Sequence, residues 1–320
     1  MEKLNIALLA GGDSSERSVS LQSAVQVAEA FNREKYIVMV VDVRGNDWEA
    51  TDDAGNKYRV DLTGFSARVN DSVVKFDYAF IMIHGTPGED GKLQGYLDIV
   101  GVPYSSCGFV SSVITFDKTL CKRTVSGIGG LYLARQKRIY AGEPFDADNI
   151  INELGLPLFV KPNASGSSCG VTKVKTADGL APAIKTAFDE GSSVLIEEFI
   201  DGREFGCGLI ITKEREYLLP VTEIISKNDF FDYEAKYTAG KSDEITPADI
   251  NAELSAELQR LAAKIYRSCE CRGLVRIDFI VTADNKPYMV EVNSVPGMSP
   301  GSIVPKHIVA AGMTMNEMVD

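Results

Sequence analysis

Hydrophobic and polar positions alternate through two segments of residues 275–302, where four polar residues are not explained by an ordinary half-buried hairpin. RIDFIV and KPYMVEVN read as two strands of period two, and Ala283, Asp284 and Asn285 between them supply the Asx chemistry of a tight turn. A hairpin symmetric about Asp284 and Asn285 sets Asp278 opposite Glu291 and Arg276 opposite Asn293, all on one face. Ile277, Phe279, Val290 and Val292 then take the other face. Carboxylates facing each other across a ladder repel, so this face costs stability unless a cation lies between them. Oxygen donors of this kind suit Mg²⁺ completed by a ligand's phosphates, with Asn293 as third donor and Arg276 turned toward an anion. A solvated polar face with its register slipped by one residue is the plainer alternative. Pro287 fits the first residue of the second strand.

The same periodicities organise the rest of the chain. An apolar strand over 4–10 runs into GGDSSERSVS, after which Ser18 caps a helix with the stripe Val19, Ala24, Val27, Ala28 and Phe31. Strand, glycine turn and helix begin an open α/β sheet, whose ligands gather beyond the carboxyl ends of the strands. The turn is not the GxGxxG of a dinucleotide site, which leaves Glu16 either favouring the helix N-terminus or receiving a cationic ligand. A second strand covers 36–42, an exposed segment 44–70, and a third strand 78–83, which delivers His84 and the loop HGTPGEDGKLQG ahead of a helix over 93–100. His84 is a satisfied loop histidine or a ligand contact, and its place at a strand's carboxyl end favours the latter.

Helices over 109–115, 119–127 and 146–154 lead to a strand over 157–162 and the loop KPNASGSSCGVTKV. Glycines and serines between strands can offer backbone N–H groups and hydroxyls to phosphates, and Lys161 adds a charge, although the lysine precedes the glycines and this is no Walker A sequence. SVLIEEF at 193–199 is a strand ending in Glu197 and Glu198, with Glu204 just before the next strand, and this acidic pair is either solvated or bonded to a ribose or an amine. DFFDYEAKYTAG at 229–240 lacks either period and suits a mobile lid. Ile250, Leu254, Leu258, Leu261, Ile265 and Cys269 form the core stripe of a long helix.

Composition narrows the function classes. The 320 residues suffice for two or three domains, and 45% hydrophobic with 24% charged residues is ordinary for a soluble globular protein. A net charge of -12 argues against nucleic acid as partner. The six cysteines have neither zinc spacing nor the density of a stapled secreted domain, and with no leader-like segment or apolar run of about 20 residues the expectation is a cytoplasmic protein without a membrane partner.

GGDSSERSVS, HGTPGEDGKLQG, KPNASGSSCGVTKV, YEAKY, RIDF and EVNSVPGMSPGS occur in the order and at about the spacing found in the D-alanine–D-alanine ligases, members of the ATP-grasp superfamily. The resemblance spans essentially the whole chain. It implies a three-domain architecture, an N-terminal open parallel α/β sheet followed by two α+β domains clasping ATP, divided at 1–105, 106–196 and 197–320. It also implies ligation of two D-alanines with ATP cleaved to ADP and phosphate for peptidoglycan, two Mg²⁺ or Mn²⁺ ions, and a homodimer.

Position by position, Glu16 resembles the residue receiving the first D-alanine's ammonium, with His84 beside it. Lys118, Lys161 and Lys236 resemble the phosphate lysines, and Ser167 the closing-loop serine bonded toward Tyr237 and Glu16. Glu197 and Glu204 match the adenine and ribose positions, with the backbones of Glu198 and Ile200 beside the adenine. Asp278, Glu291 and Asn293 resemble the metal ligands, Arg276 and the Gly297 N–H the oxyanion donors, and Ser302 the holder of the second substrate's carboxylate. Tyr237 in its AKY context favours D-alanine over D-lactate as second substrate and leaves D-serine open. The chain departs from many relatives in having Ser165 where they carry an acid, which touches loop closure rather than the reaction. It stops at Asp320 inside the expected terminal helix, so a short natural tail is expected. A different ATP-grasp carboxylate–amine ligase would have no reason to combine Glu16, His84 and Ser302, and a non-catalytic nucleotide module no reason to keep Arg276 and all three metal ligands.

Overall fold

The computed structural model describes residues 2–166, 169–212, 215–227 and 241–320. Ser167, Lys236, Tyr237 and the 229–240 lid segment lie outside the described residues.

The N-terminal sheet is built on β1 (Leu4–Gly11), whose continuous apolar run is buried on both faces. α1 (Arg17–Ala30) follows, then β2 (Tyr36–Arg44), β3 (Asp47–Thr51), β4 (Lys57–Asp61), β5 (Ser66–Val69), β6 (Ser72–Lys75), β7 (Tyr78–Ile81) and α2 (Lys92–Val100). The strand order is β6-β5-β4-β3-β2-β1-β7. Only β2, β1 and β7 are mutually parallel, so the expected open parallel sheet is extended by an antiparallel meander.

That meander corrects the reading of 44–70 as an exposed segment. Trp48, Ala50, Val60, Phe65 and Ala67 are buried, and Trp48 packs edge-on against Phe65 and Tyr96. These strands are four or five residues long, so each shows only two or three alternations and its period hides among turn residues. The Ser18 cap is also corrected. α1 begins at Arg17, with Glu16 at the cap position and no side-chain cap bond. Its start is fixed earlier, where Ser14 Oγ accepts the Glu16 N–H at 3.2 Å and Ser14 O accepts the Arg17 N–H at 3.3 Å.

Next come α3 (Phe109–Phe116), α4 (Lys118–Val125), β8 (Gln136–Tyr140), α5 (Ala147–Leu154), β9 (Leu158–Pro162), β10 (Thr172–Val174), α6 (Leu180–Phe188) and β11 (Ser193–Glu198). The antiparallel sheet β10-β9-β11-β8 has its own core from Ile139 to Ile196. The last sheet takes β12 (Arg203–Ile211), β13 (Glu216–Leu218), β14 (Thr222–Ser226), β15 (Ser242–Ile245), β16 (Gly273–Val281) and β17 (Pro287–Asn293), in the order β15-β14-β12-β16-β17 with β13 on β12. α7 (Ala252–Ser268) covers it with the expected stripe, burying Leu258, Leu261, Ile265 and Cys269.

Core membership does not follow chain order alone. Cys107, Cys121 and Val125 join the core of the last sheet, while Val295, Met298, Val304 and Ile308 return to that of the first. α8 (Ile303–Ala310) and α9 (Met315–Val319) end the chain, and Asn316 Nδ2 donates to Ala30 O of α1 at 2.7 Å.

The β16–β17 hairpin pairs Asp278 with Glu291 and Arg276 with Asn293, as alternation predicts. Two irregularities of one residue each combine to do so. The turn is three residues long, with Asn285 at φ 57°, which shifts the outer pairs to Val281–Pro287 and Phe279–Met289. A bulge between Asp278 and Phe279 then restores the register. The extra residue is Val290, so Met289, 2% exposed, takes the core position expected of Val290.

Candidate active site

Because β1 lies between β2 and β7, its glycine turn and His84 emerge side by side. Ser14 Oγ donates to His84 O at 2.7 Å, and Ser20 Oγ donates to Met82 O at 2.6 Å while accepting the Gly11 N–H at 2.8 Å. Gly12 has φ +87°, and a Cβ there would stand 2.5 Å from Ile83 Cγ2, so the close approach of the two loops requires glycine.

Two adjoining cavities of about 380 Å³ each open beyond these strand ends. Glu16, His84, Arg276, Asn293, Gly297 and Ser302 line the first. Lys118, Lys161, Glu197, Glu198, Ile200, Glu204 and Glu291 line the second. Gly166 lines both and lies against Glu16, where a Cβ would come within 2.0 Å of Glu16 Oε2.

The polar hairpin face spans the boundary between them. Arg276 Nε and Nη2 donate to Asp278 Oδ1 and Oδ2 at 2.8 Å each, both residues being buried. Asn293 Nδ2 donates to Asp278 Oδ2 at 3.0 Å, turning the amide oxygen away from that carboxylate. Lys118 Nζ lies 3.5 Å from Glu291 Oε2 and donates to Ser165 O at 2.7 Å. Among the described residues no three His, Cys, Asp or Glu side chains converge as a metal site. By donor chemistry the face suits a hard divalent ion completed by a ligand's oxygens: Asp278 and Glu291 supply carboxylates, and Asn293 would supply its amide oxygen by turning that group over.

In the second cavity Glu197 is clasped between Lys161 Nζ and Lys122 Nζ, one on each carboxylate oxygen. Burial alone would raise its pKa, but the two ammonium groups win and hold it at about 2. Burial pushes Lys122 down, against the opposing pull of Glu197. Glu198 turns its carboxylate to Arg135, with N–H and Nε contacts of 2.7 and 2.6 Å, and donates its own N–H to Arg135 O at 3.1 Å. Asn163 Oδ1 accepts from Thr119 Oγ1 at 2.6 Å and Thr119 N–H at 3.1 Å, tying the start of α4, and with it Lys118, to the loop after Lys161.

In the first cavity burial lowers the pKa of His84, with Glu16 pulling the other way. Its Nδ1 faces Val295 O at 2.8 Å, so the proton sits there, and Nε2 accepts from Ser23 Oγ at 3.2 Å. Both ring nitrogens are thus engaged by the protein, which makes His84 a wall of the cavity rather than a direct donor into it. Glu89 is pushed up to about 8 by burial and by the charge of Glu16, against N–H bonds from Gly85 and Val295. Ser302 Oγ lies 2.8 Å from Ser299 Oγ, and a Cβ on Gly297 would come within 2.8 Å of it.

Sequence reasoning missed Lys122, Glu89, Ser23 and Asn163. Lys122 sits one turn after Lys118, the i,i+4 spacing that puts both on one helix face and the only available signal for it. Glu89 is the acid inside HGTPGEDG. Ser23 and Asn163 carry no recognisable pattern.

Comparison with known proteins agrees in both halves of the chain. The family described as "D-ala D-ala ligase N-terminus" matches residues 5–107, and "D-ala D-ala ligase C-terminus" matches residues 133–320. The D-alanine–D-alanine ligase of Bacteroides fragilis is 43% identical, covering 99% of this chain and 97% of that protein. That of Azobacteroides pseudotrichonymphae is 45% identical over 98% and 97%. Among solved structures, D-alanyl-alanine synthetase A from Vibrio cholerae superposes with TM-score 0.88 at 29% identity, covering 100% of this chain and 97% of that one. The VanG D-Ala:D-Ser ligase from Enterococcus faecalis gives 0.85 at 30%, over 100% and 98%. A D-alanine–D-alanine ligase from Bacillus anthracis complexed with ATP gives 0.77 at 27%, over 99% and 94%.

Proposed function

The chain belongs to the D-alanine–D-alanine ligase family, and we propose that it joins two D-alanines into D-alanyl-D-alanine for peptidoglycan, converting ATP to ADP and phosphate through an acyl phosphate. The observation that carries this reading is the hairpin face with a cavity on either side, Glu291 lining one and Arg276 and Asn293 the other. One cavity has the lysines and acids to take a nucleotide, and the other the size and polarity to take two small zwitterions.

A carboxylate is a poor electrophile. In this scheme the first D-alanine's carboxylate attacks the γ-phosphate, giving ADP and an acyl phosphate, and the free amine of the second D-alanine then attacks the acyl carbon and expels phosphate. Glu16 receives the first ammonium, and Ser302 at the α8 N-terminus receives the second substrate's carboxylate. Lys118 and Lys161 neutralise phosphate charge, joined by Lys236, while Glu197, Glu204 and the backbones of Glu198 and Ile200 hold the adenosine. Ser167 and Tyr237 complete the first-substrate side, and Tyr237 favours D-alanine as acceptor. Asp278, Glu291 and Asn293 would hold Mg²⁺ or Mn²⁺, which when bound neutralises charge developing on the phosphates. Arg276, its guanidinium plane fixed by Asp278, and the Gly297 N–H stabilise the oxyanion formed at the acyl carbon.

The division at 1–105, 106–196 and 197–320, a homodimer and a cytoplasmic location are parts of the same proposal, resting on the family resemblance; among the described residues no helix is long and apolar enough to cross a membrane. The test is product analysis. D-alanine and ATP together should give ADP and D-alanyl-D-alanine, and ADP release without dipeptide would refute the reading.

A further inference from the structure

We propose that Glu89 and Ser23, acting with His84, are positioning residues for the Gly297 amide, clamping residues 295–298 so that this N–H faces the oxygen that takes negative charge when the acyl carbon is attacked. The proposal rests on the ligase reading above and adds residues to it.

Residues 295–298 come from the loop after β17, yet three side chains from the first 90 residues of the chain hold them. Glu89 Oε1 accepts the Val295 N–H at 3.2 Å, while its Oε2 accepts the Gly85 N–H at 2.8 Å. His84 Nδ1–H donates to Val295 O at 2.8 Å. Ser23 Oγ accepts the Met298 N–H at 3.2 Å and its hydroxyl donates to His84 Nε2 at 3.2 Å, closing the chain of bonds. All three side chains are buried, with Ser23 at 0% exposure.

The backbone donors either side of Gly297 are therefore spent. Val295 and Met298 give their N–H groups to the clamp, and Pro296 has none. Among the described residues the Gly297 N–H has no acceptor, and Gly297 lines the cavity beside Arg276. One open amide, fixed on both sides and next to a guanidinium, is the arrangement an oxyanion site needs, and its worth lies in being set before the reaction. Displacement of such a donor by about 1 Å can cost about 10²-fold in rate.

The experiment compares wild type with Ser23→Ala, Ser23→Thr and Glu89→Gln. The glutamine side chain keeps one acceptor oxygen but sets an amide NH₂ against the second backbone N–H. Each enzyme is assayed for kcat, for KM of ATP and of D-alanine, and for inhibition by a phosphinate dipeptide analogue whose tetrahedral centre imitates the intermediate. The clamp predicts that Ser23→Ala and Glu89→Gln lose about 10²-fold in kcat and in phosphinate affinity, with both KM values within a few-fold of wild type. Ser23→Thr, which keeps the hydroxyl, regains most of the loss. Unchanged phosphinate affinity in a folded variant overturns the proposal, as does a parallel loss of ATP, D-alanine and phosphinate affinity, which marks a merely structural role. If Glu89→Gln does not fold, the serine pair decides alone. Failure of the wild type to make dipeptide is visible before any variant is tested and overturns the ligase reading and the clamp together.

Discussion

Replacing Lys122 with methionine removes one of the two ammonium groups that hold Glu197 in the wall of the second cavity. Glu197 is buried, and its carboxyl is brought from an ordinary 4.5 to about 2. A difference of that size is worth roughly 3 kcal/mol of folding free energy at neutral pH. Methionine fills most of the space but leaves the carboxylate with Lys161 alone, and breaking a buried ion pair costs about 3–5 kcal/mol. With one partner retained, the lower end of that range is expected at pH 7, a fall in Tm on the order of 4–5 °C. Because the folded-state value is depressed, the wild-type contribution is complete above about 4.5 and is lost as pH falls toward 2. The Tm of wild type should therefore drop between pH 5 and 3 more steeply than that of Lys122→Met, and the gap should narrow on acidification. Scanning calorimetry of both proteins from pH 7 to 3, with and without ATP, reads the effect. The KM for ATP should also rise in the variant, since Glu197 and Lys161 are both disturbed. Equal Tm at pH 7, or a constant gap across the whole range, would refute the reasoning.

Arg276→Ala should lower kcat by about 10²–10³-fold while ATP binding changes far less; equal losses in kcat and in ATP affinity by titration would remove the oxyanion assignment. Glu291→Ala should abolish turnover and leave circular dichroism unchanged, and near-normal dipeptide formation would remove the metal assignment. Gly166→Ala forces a Cβ into the Glu16 carboxylate, and at about 1–3 kcal/mol for such crowding the specificity constant for D-alanine should fall roughly 5- to 150-fold; an unchanged value would mean that the loop stands away from Glu16 in the working enzyme.

What the sequence made legible, and what it hid, follow from the range of the signals. The register of β16 and β17 was readable at Arg276, Asp278, Glu291 and Asn293 because alternation is a local property and the chemistry lies on one face. The three-residue turn and the bulge at Val290 were not, since they offset each other and leave the same pairs opposite. The strands of the meander were too short for their period to stand out from the turns. Ser23 and Asn163 are functional candidates only through partners distant in sequence, Ser23 lying 275 residues from Met298, and no local pattern announces such bonds. His84 was readable as a residue at a strand end, but its two buried partners, Ser23 and Val295, became visible only once the chain had closed on itself.

The most direct measurement is product formation by the purified chain with Mg²⁺ and ATP, offering D-alanine alone, L-alanine alone, and D-alanine with D-serine or D-lactate, with ADP quantified and products identified by mass. The account predicts that D-alanine alone releases ADP and yields D-alanyl-D-alanine, and that L-alanine does neither. ADP release that requires D-serine or D-lactate as well, or no release with any of them, would contradict it.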